Sequence, residues 1–262
     1  MRFIVQGYPA FAYTGGRPFD PTLPAIVFVH GAAFDHSVWQ WQSRYFAHHG
    51  YGVIGVDLPG HGRSPGAARS TIGEYADWIA ALLDAAGIAR AKLAGHSMGS
   101  LVVLETALRH PERIEKLALV GIAAPMPVGE AFMAAARANS PAGFDMETLW
   151  GHARLAQLAA SPVPGISLVG ASRQLNARSR AGVQHADLRA CDAYRVSKEA
   201  LASLQVPALV LAGRRDQMTG FKPGQALAAE IPGATFIALD AGHSMMSEAP
   251  REVLAALRTF FA

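Results

Sequence analysis

The chain has 262 residues, of which 51% are hydrophobic and 16% charged, with a formal net charge of +3. This composition excludes a disordered chain, and a chain this long buries roughly 70–75% of its unfolded surface, so it folds without disulfides or a structural metal. Its one cysteine, Cys191, excludes a disulfide framework and a paired-cysteine redox or zinc site.

Short apolar runs alternate with amphipathic segments, the pattern of a parallel sheet with crossover helices. Ala25–Val29 reads as a buried strand. A helix is expected from His36 to Gly50, with Val38, Trp41 and Tyr45 on its apolar face. Gly52–Val56 is the next strand and ends at Asp57. Thr71 and Glu74 form a capping box that opens a helix with Ile72, Tyr75, Ile79, Leu82 and Leu83 inward, closed by Gly87. Ala91–Ala94 is a short strand, Gly95–Gly99 a sharp turn, and Leu101, Val102, Leu104 and Leu108 line a helix that stops before Pro111. Strands follow at Lys116–Val120, Val206–Ala212 and Thr235–Leu239. The last helix begins near Pro250, with Val253, Leu254, Leu257, Phe260 and Phe261 on its apolar face.

Between about Ala124 and Ser203 the rhythm changes. No clean strand appears, and five prolines share the segment with Met126, Met133, Met146, Phe132, Phe144 and Trp150. It reads as a helical insertion over one end of the sheet. The expected organisation is a core of residues 1–123 and 204–262 with a helical cap at 124–203.

The strongest chemical signal is Gly95-His96-Ser97-Met98-Gly99, between a strand and a helix. A nucleophile there needs a tight turn that lifts its hydroxyl clear of the sheet. Side chains two residues either side would clash, and glycine removes both clashes. The helix start that follows leaves N–H groups free for a developing oxyanion. A serine hydroxyl needs a base, and the base needs an orienting carboxylate. His243 follows Thr235–Leu239 in Asp240-Ala241-Gly242-His243. Asp216 follows Val206–Ala212 in Gly213-Arg214-Arg215-Asp216. The strand before ends in Val120-Gly121-Ile122-Ala123-Ala124 and supplies no carboxylate, which favours Asp216 as the acid. All three residues follow strands, so all three fall at one end of a parallel sheet.

With these pieces in place, the sequence resembles the α/β-hydrolase superfamily, in particular its esterase, lactonase and C–C-bond-hydrolase branches. The matching residues are His30-Gly31, Asp57-Leu58-Pro59-Gly60-His61-Gly62-Arg63-Ser64, Gly95–Gly99, Asp216 and Gly242-His243. The resemblance implies an α/β fold with a mostly parallel sheet and helices on both faces. It also implies two oxyanion-hole N–H donors, which map to Ala32 and Met98; Ala33 is equally small, and a one-residue shift of the loop would select it instead. His30 would shape that loop, and His61 would be a packed residue of a structural turn.

The implied activity is hydrolysis of a small or medium carboxylic ester through an acyl-enzyme, with Ser97, His243 and Asp216 as nucleophile, base and acid. Lactone, thioester or C–C cleavage of a diketone-like acid are alternatives on the same fold, and a non-catalytic ligand-binding protein is an alternative of another class. The last cleavage needs a cation for the substrate carboxylate, and none of the seven arginines of 124–203 stands out. His96 is expected to pack at a strand end, and His152 and His185 are candidates for substrate contact. No metal or cofactor is implied, and the expected partner is a small-molecule substrate. The chain has no dense basic stripe for nucleic acid. The uncharged stretch Leu155–Ser172 contains Pro162, Pro164 and Gly165, a poor membrane span. The N-terminal segment lacks the regions of a signal peptide, so the expected location is cytoplasmic.

Overall fold

The computed structural model describes residues 1–158 and 161–262. Eight strands form one sheet: β1 (Arg2–Val5), β2 (Tyr8–Tyr13), β3 (Ala25–Val29), β4 (Gly52–Val56), β5 (Ala91–His96), β6 (Ile114–Val120), β7 (Ala208–Gly213) and β8 (Thr235–Leu239). Their order is β1-β2-β4-β3-β5-β6-β7-β8, with β1 and β2 antiparallel and every pairing from β4 through β8 parallel. The α/β architecture and the mostly parallel sheet expected from the sequence are therefore present.

The helices are α1 (Gln40–Ala47), α2 (Ile72–Ala85), α3 (Met98–Arg109), α4 (Glu130–Arg137), α5 (Pro141–Trp150), α6 (Arg154–Gln157), α7 (Leu168–Ala177), α8 (Val183–Ala193), α9 (Lys198–Ala202), α10 (Phe221–Glu230), α11 (Met245–Glu248) and α12 (Pro250–Phe261). Side chains alternate between two cores because successive strand residues face opposite sides. Val27 and Val29 of β3 join α2, α3 and α10 on one side, through residues such as Ile79, Leu101 and Leu227. Ile26 and Phe28 join α1 and α12 on the other, through Phe46, Val253, Leu257 and Phe261. No described helix is long and apolar enough to cross a membrane.

Most expected elements form where the pattern puts them. The Thr71–Glu74 capping box is complete, with each partner bonding the other's backbone. Two differences have local causes. Strand β7 starts at Ala208, two residues later than expected, because Pro207 has no N–H for the ladder and contributes only its carbonyl, which accepts from the Leu117 N–H at 2.9 Å. The segment after His36 begins as a 3₁₀ turn (His36–Trp39) before α1, which rotates the apolar face. Trp39 and Phe46 then point inward, Trp39 5.2 Å from Phe28, while Trp41 is exposed.

The hairpin of β1 and β2 was not anticipated. Gln6 and Gly7, both at positive φ, make its two-residue turn. Between β6 and β7 lie α4 to α9 and, among the described residues, no strand.

Candidate active site

Ser97 sits between β5 and α3 with φ 54° and ψ −121°, a conformation that costs a non-glycine residue about 1–3 kcal/mol and persists only where its surroundings hold it. The surroundings explain why both flanking positions are glycine. A Cβ on Gly95 would run into the backbone of Gly99, and a Cβ on Gly99 would run into the carbonyls of Val29 and His30. The Ser97 N–H donates to the Val120 carbonyl at 2.9 Å, which ties the turn to the neighbouring strand.

Asp216 and His243 lie on the loops after β7 and β8. The Nδ1–H of His243 donates to Asp216 Oδ2 at 2.8 Å. Asp216 is held in turn by Thr219, whose hydroxyl donates to Oδ2 at 2.7 Å, and by the N–H groups of Met218 and Thr219, which reach Oδ1 at 2.8 and 3.0 Å. Burial alone would raise the Asp216 pKa, but the adjacent imidazole and these donors outweigh it and hold the carboxyl well below the ordinary range. Asp216 is therefore an anion that fixes His243 as the Nδ1–H tautomer. That leaves Nε2 as the free nitrogen, and it is buried without a hydrogen-bond partner among the described residues. The Ser97 hydroxyl makes no hydrogen bond to it, although Ser97 and His243 line the same cavity.

Two backbone contacts fix the imidazole. The Nε2–H of His96 donates to the His243 carbonyl at 2.9 Å, so His96 packs at its strand end and acts on the loop through the backbone. Burial, then the neighbouring His243, push the His96 pKa down to about 3, so its ring is neutral. Gly121, at φ 63°, lies under the ring: a Cβ there would come within 3.0 Å of His243 Cε1.

The shared cavity has a volume of about 210 Å³. Ala32, Phe34, Ser97, Gln217, Met218, Thr219, His243 and Ser244 line it from the sheet side. Met126, Phe132, Glu147, Trp150, Leu188 and Cys191 are among the residues lining it from the segment between β6 and β7. Among the described residues no lysine or arginine reaches it. Met98 does not line it with its side chain, but as the first residue of α3 it has an N–H that the helix leaves unused. Ala33, at φ 56°, is not interchangeable with Ala32, because its N–H is committed to Asp187 Oδ2 at 2.9 Å.

Asp187, in α8, is fully buried. It also accepts from His61 Nε2 at 2.7 Å and from the Tyr75 hydroxyl at 3.0 Å. His61 places its other nitrogen 3.0 Å from the Pro59 carbonyl, so both ring nitrogens face acceptors. Burial opposes a charge on His61, but the Asp187 carboxylate overcomes it and raises the pKa. The result is a buried ion pair joining α8 to the 57–64 turn and to the loop after β3. His30, 4.8 Å from the His61 ring, accepts from the Leu58 N–H at 3.1 Å and braces the same loop. A second set of ties joins the His243 loop to the start of α6: the Ser244 N–H donates to the Gly151 carbonyl at 2.8 Å, and Glu248 Oε2 accepts from the Ala153 and Gly242 N–H groups.

The remaining histidine candidates fall outside this cluster. His152 is buried, with Nδ1 donating to the Thr148 carbonyl, and His185 does not line the cavity. Asp35, His36 and Asp57 bring possible metal-ligating atoms within 4.8 Å of one another. His36 already bonds Asp57 Oδ1 at 2.6 Å, and the Arg63 and Ser37 N–H groups occupy Asp57 Oδ2 and Asp35 Oδ1, so the group reads as a braced turn.

Sequence reasoning missed Thr219, Gly121, Asp187 and Glu248. Thr219 had a local signal, since Asp-x-x-Thr places a hydroxyl and two N–H groups around a carboxylate. Asp187 had none, because its partners lie 112 to 154 residues away.

Fold and site together define a class. Residues 24–250 match the alpha/beta hydrolase fold family, and the chain belongs to it. It is 25% identical over 247 residues to an (E)-2-((N-methylformamido)methylene)succinate hydrolase of Acinetobacter baylyi, covering 90% of this chain and 89% of that protein. It is similar in structure to the enol-lactonase of Burkholderia xenovorans LB400, with 26% identity, a TM-score of 0.87 and coverage of 100% and 99% of the two chains. It is also similar to Est816, described as an N-acyl homoserine lactone degrading enzyme, with 25% identity, a TM-score of 0.85 and coverage of 99% and 100%.

Proposed function

We propose that this hydrolase is a serine enzyme that cleaves an uncharged carboxylic ester or lactone through an acyl-enzyme. The observation that carries the reading is the Asp216–His243 bond, which leaves a buried, unpartnered Nε2 in the wall of the cavity that also holds the strained Ser97. Ser97 attacks the substrate carbonyl. His243 takes its proton at Nε2 and later delivers it to the leaving oxygen, while Asp216 holds the tautomer and stabilises the imidazolium. The serine–histidine bond forms as substrate is bound, since such contacts are often open in empty sites. The N–H groups of Ala32 and Met98 receive the oxyanion, each such donor being worth about 2.7–4 kcal/mol. The commitment of the Ala33 N–H to Asp187 supports Ala32 for this role. Residues 124–203 act as a cap that supplies the apolar wall.

Acyl chemistry on an uncharged substrate is favoured over C–C cleavage of a diketone-like acid because, among the described residues, no lysine or arginine lines the cavity. The succinate hydrolase is named for a dicarboxylate substrate; among the described residues, an anionic substrate of that kind meets no lysine or arginine in this cavity. Lactone hydrolysis is supported by the two lactonase relatives. The substrate is a small molecule, and no cofactor enters the mechanism. A panel of p-nitrophenyl esters, neutral lactones and ring-fission dienoic acids tests the reading. Turnover of the first two and its loss in Ser97→Ala are expected; turnover of the acids alone contradicts it.

A further inference from the structure

Glu147 is an ionisable side chain in the wall of an otherwise mostly apolar chamber. It lies on α5, is only 5% exposed, and lines the cavity shared by Ser97 and His243. Its Oε2 accepts from Gln184 Nε2 of α8 at 2.6 Å. Its Oε1 has no protein partner among the described residues. Gly143 leaves the room this pair needs, since a Cβ there would stand 2.6 Å from Gln184 Oε1. Among the described residues, no lysine or arginine lines the cavity to neutralise a carboxylate at this point. Burial, reinforced by the nearby Asp187 and only partly offset by the Gln184 bond, pushes the Glu147 pKa up to about 8. The other ionisable group of α8 near the carboxyl, the Cys191 thiol, is itself raised by burial and is neutral. A neutral carboxylic acid has one O–H to donate. With the Gln184 amide oriented so that its Nε2–H donates to Oε2, that O–H falls to Oε1.

We propose that Glu147, positioned by Gln184, is a specificity residue that donates a hydrogen bond to a neutral oxygen, a ketone or ether, in the acyl part of the substrate. This rests on the serine-hydrolase reading above and names the substrate class within it: oxygenated, uncharged acyl groups rather than plain alkyl chains. The apolar wall around Glu147 makes the discrimination sharp, because an alkyl chain leaves the buried O–H unpaired. An ammonium group is the competing ligand for a carboxyl at this position, and it would require the anion that burial disfavours.

The test compares kcat/KM for three p-nitrophenyl esters of matched length: 4-oxopentanoate, pentanoate and 4-aminobutanoate. The wild-type protein is expected to favour the keto ester over the alkyl ester by about tenfold. Glu147→Gln, which keeps a neutral donor, retains that ratio, and Glu147→Leu brings it to about one. Equal ratios in wild type and Glu147→Leu overturn the proposal, as does preference for the amino ester. Thermal melts of the variants guard against misfolding, and Glu147→Met, which likewise has no donor and is expected to bring the ratio to about one, carries the test if Leu does not fold. If the wild type cleaves the esters and Ser97→Ala does not, a flat ratio condemns Glu147 alone. If no ester is cleaved and Ser97 does not react with a fluorophosphonate, the catalytic reading and this proposal fall together.

Discussion

The sheet is held by apolar packing almost alone, while the helical segment over it joins the same apolar core and adds buried polar ties. The central strands β3 to β7 bury apolar side chains on both faces, and most of those side chains are wholly inaccessible. Helices α4 to α9 and their connections bury polar side chains (Glu147, Thr148, His152, Asn176, Gln184 and Asp187) beside apolar ones such as Phe132, Leu168, Val183, Leu188 and Leu201. They reach the sheet-side loops through the Asp187–His61 ion pair and the bonds at Gly151 and Ala153. Apolar packing is non-directional and places Ser97, Asp216 and His243 on a rigid frame. Buried polar bonds are directional and fix how the segment meets that frame.

Four substitutions sharpen this contrast. The largest effect belongs to the sheet side: Asp216→Asn is expected to lower kcat about 10⁴-fold with little change in melting temperature, because it reverses the His243 tautomer without disturbing packing. A loss under tenfold would deny Asp216 its role. Next, Asp187→Ala removes one partner of a buried ion pair and orphans the Ala33 N–H. Urea unfolding should report a loss of about 3–5 kcal/mol. A change below 1 kcal/mol would mean that the polar ties do not hold the segment. Third, Gly121→Ala places a methyl against the imidazole at a positive-φ position. A fall of about 100-fold in kcat is expected from a displacement near 1 Å, measured on the best ester of the panel.

The smallest effect is a pH dependence from Glu147. The unfolded carboxyl loses its proton near 4.5, while the folded one keeps it to about 8. Between those values the native state binds more protons than the unfolded state, so stability declines as pH rises. Asp187 and Cys191, the ionisable groups nearest Glu147, are unchanged in the variant. Wild type should lose several degrees of melting temperature from about pH 5 to pH 8 relative to Glu147→Gln. Parallel curves would mean that the carboxyl is already ionised at low pH.

The same contrast explains what was legible in the sequence. Strands such as Ala25–Val29 and the Thr71–Glu74 cap are written in neighbouring residues, and so is the glycine bracket around Ser97. Ser97, Asp216 and His243 each follow a strand, and the parallel sheet brings them to one end. The β1–β2 hairpin had only Gln6-Gly7 as a signal, and the 3₁₀ turn at His36–Trp39 shifted a face that helical periodicity put on Trp41. Asp187 and Glu147 were invisible as functional groups. A carboxylate whose partners lie 37 positions away, as for Glu147, or 112 to 154, as for Asp187, looks in one dimension like any charge on a helix surface.

The account stands or falls on Ser97 being a nucleophile activated by His243. The direct measurement is peptide mapping by mass spectrometry after reaction with a fluorophosphonate, in wild type, Ser97→Ala and His243→Ala. One adduct per chain on the Ser97 peptide, absent in Ser97→Ala and slowed by orders of magnitude in His243→Ala, is the expected result. An unlabelled wild type, or a label on another residue that survives Ser97→Ala, would contradict it.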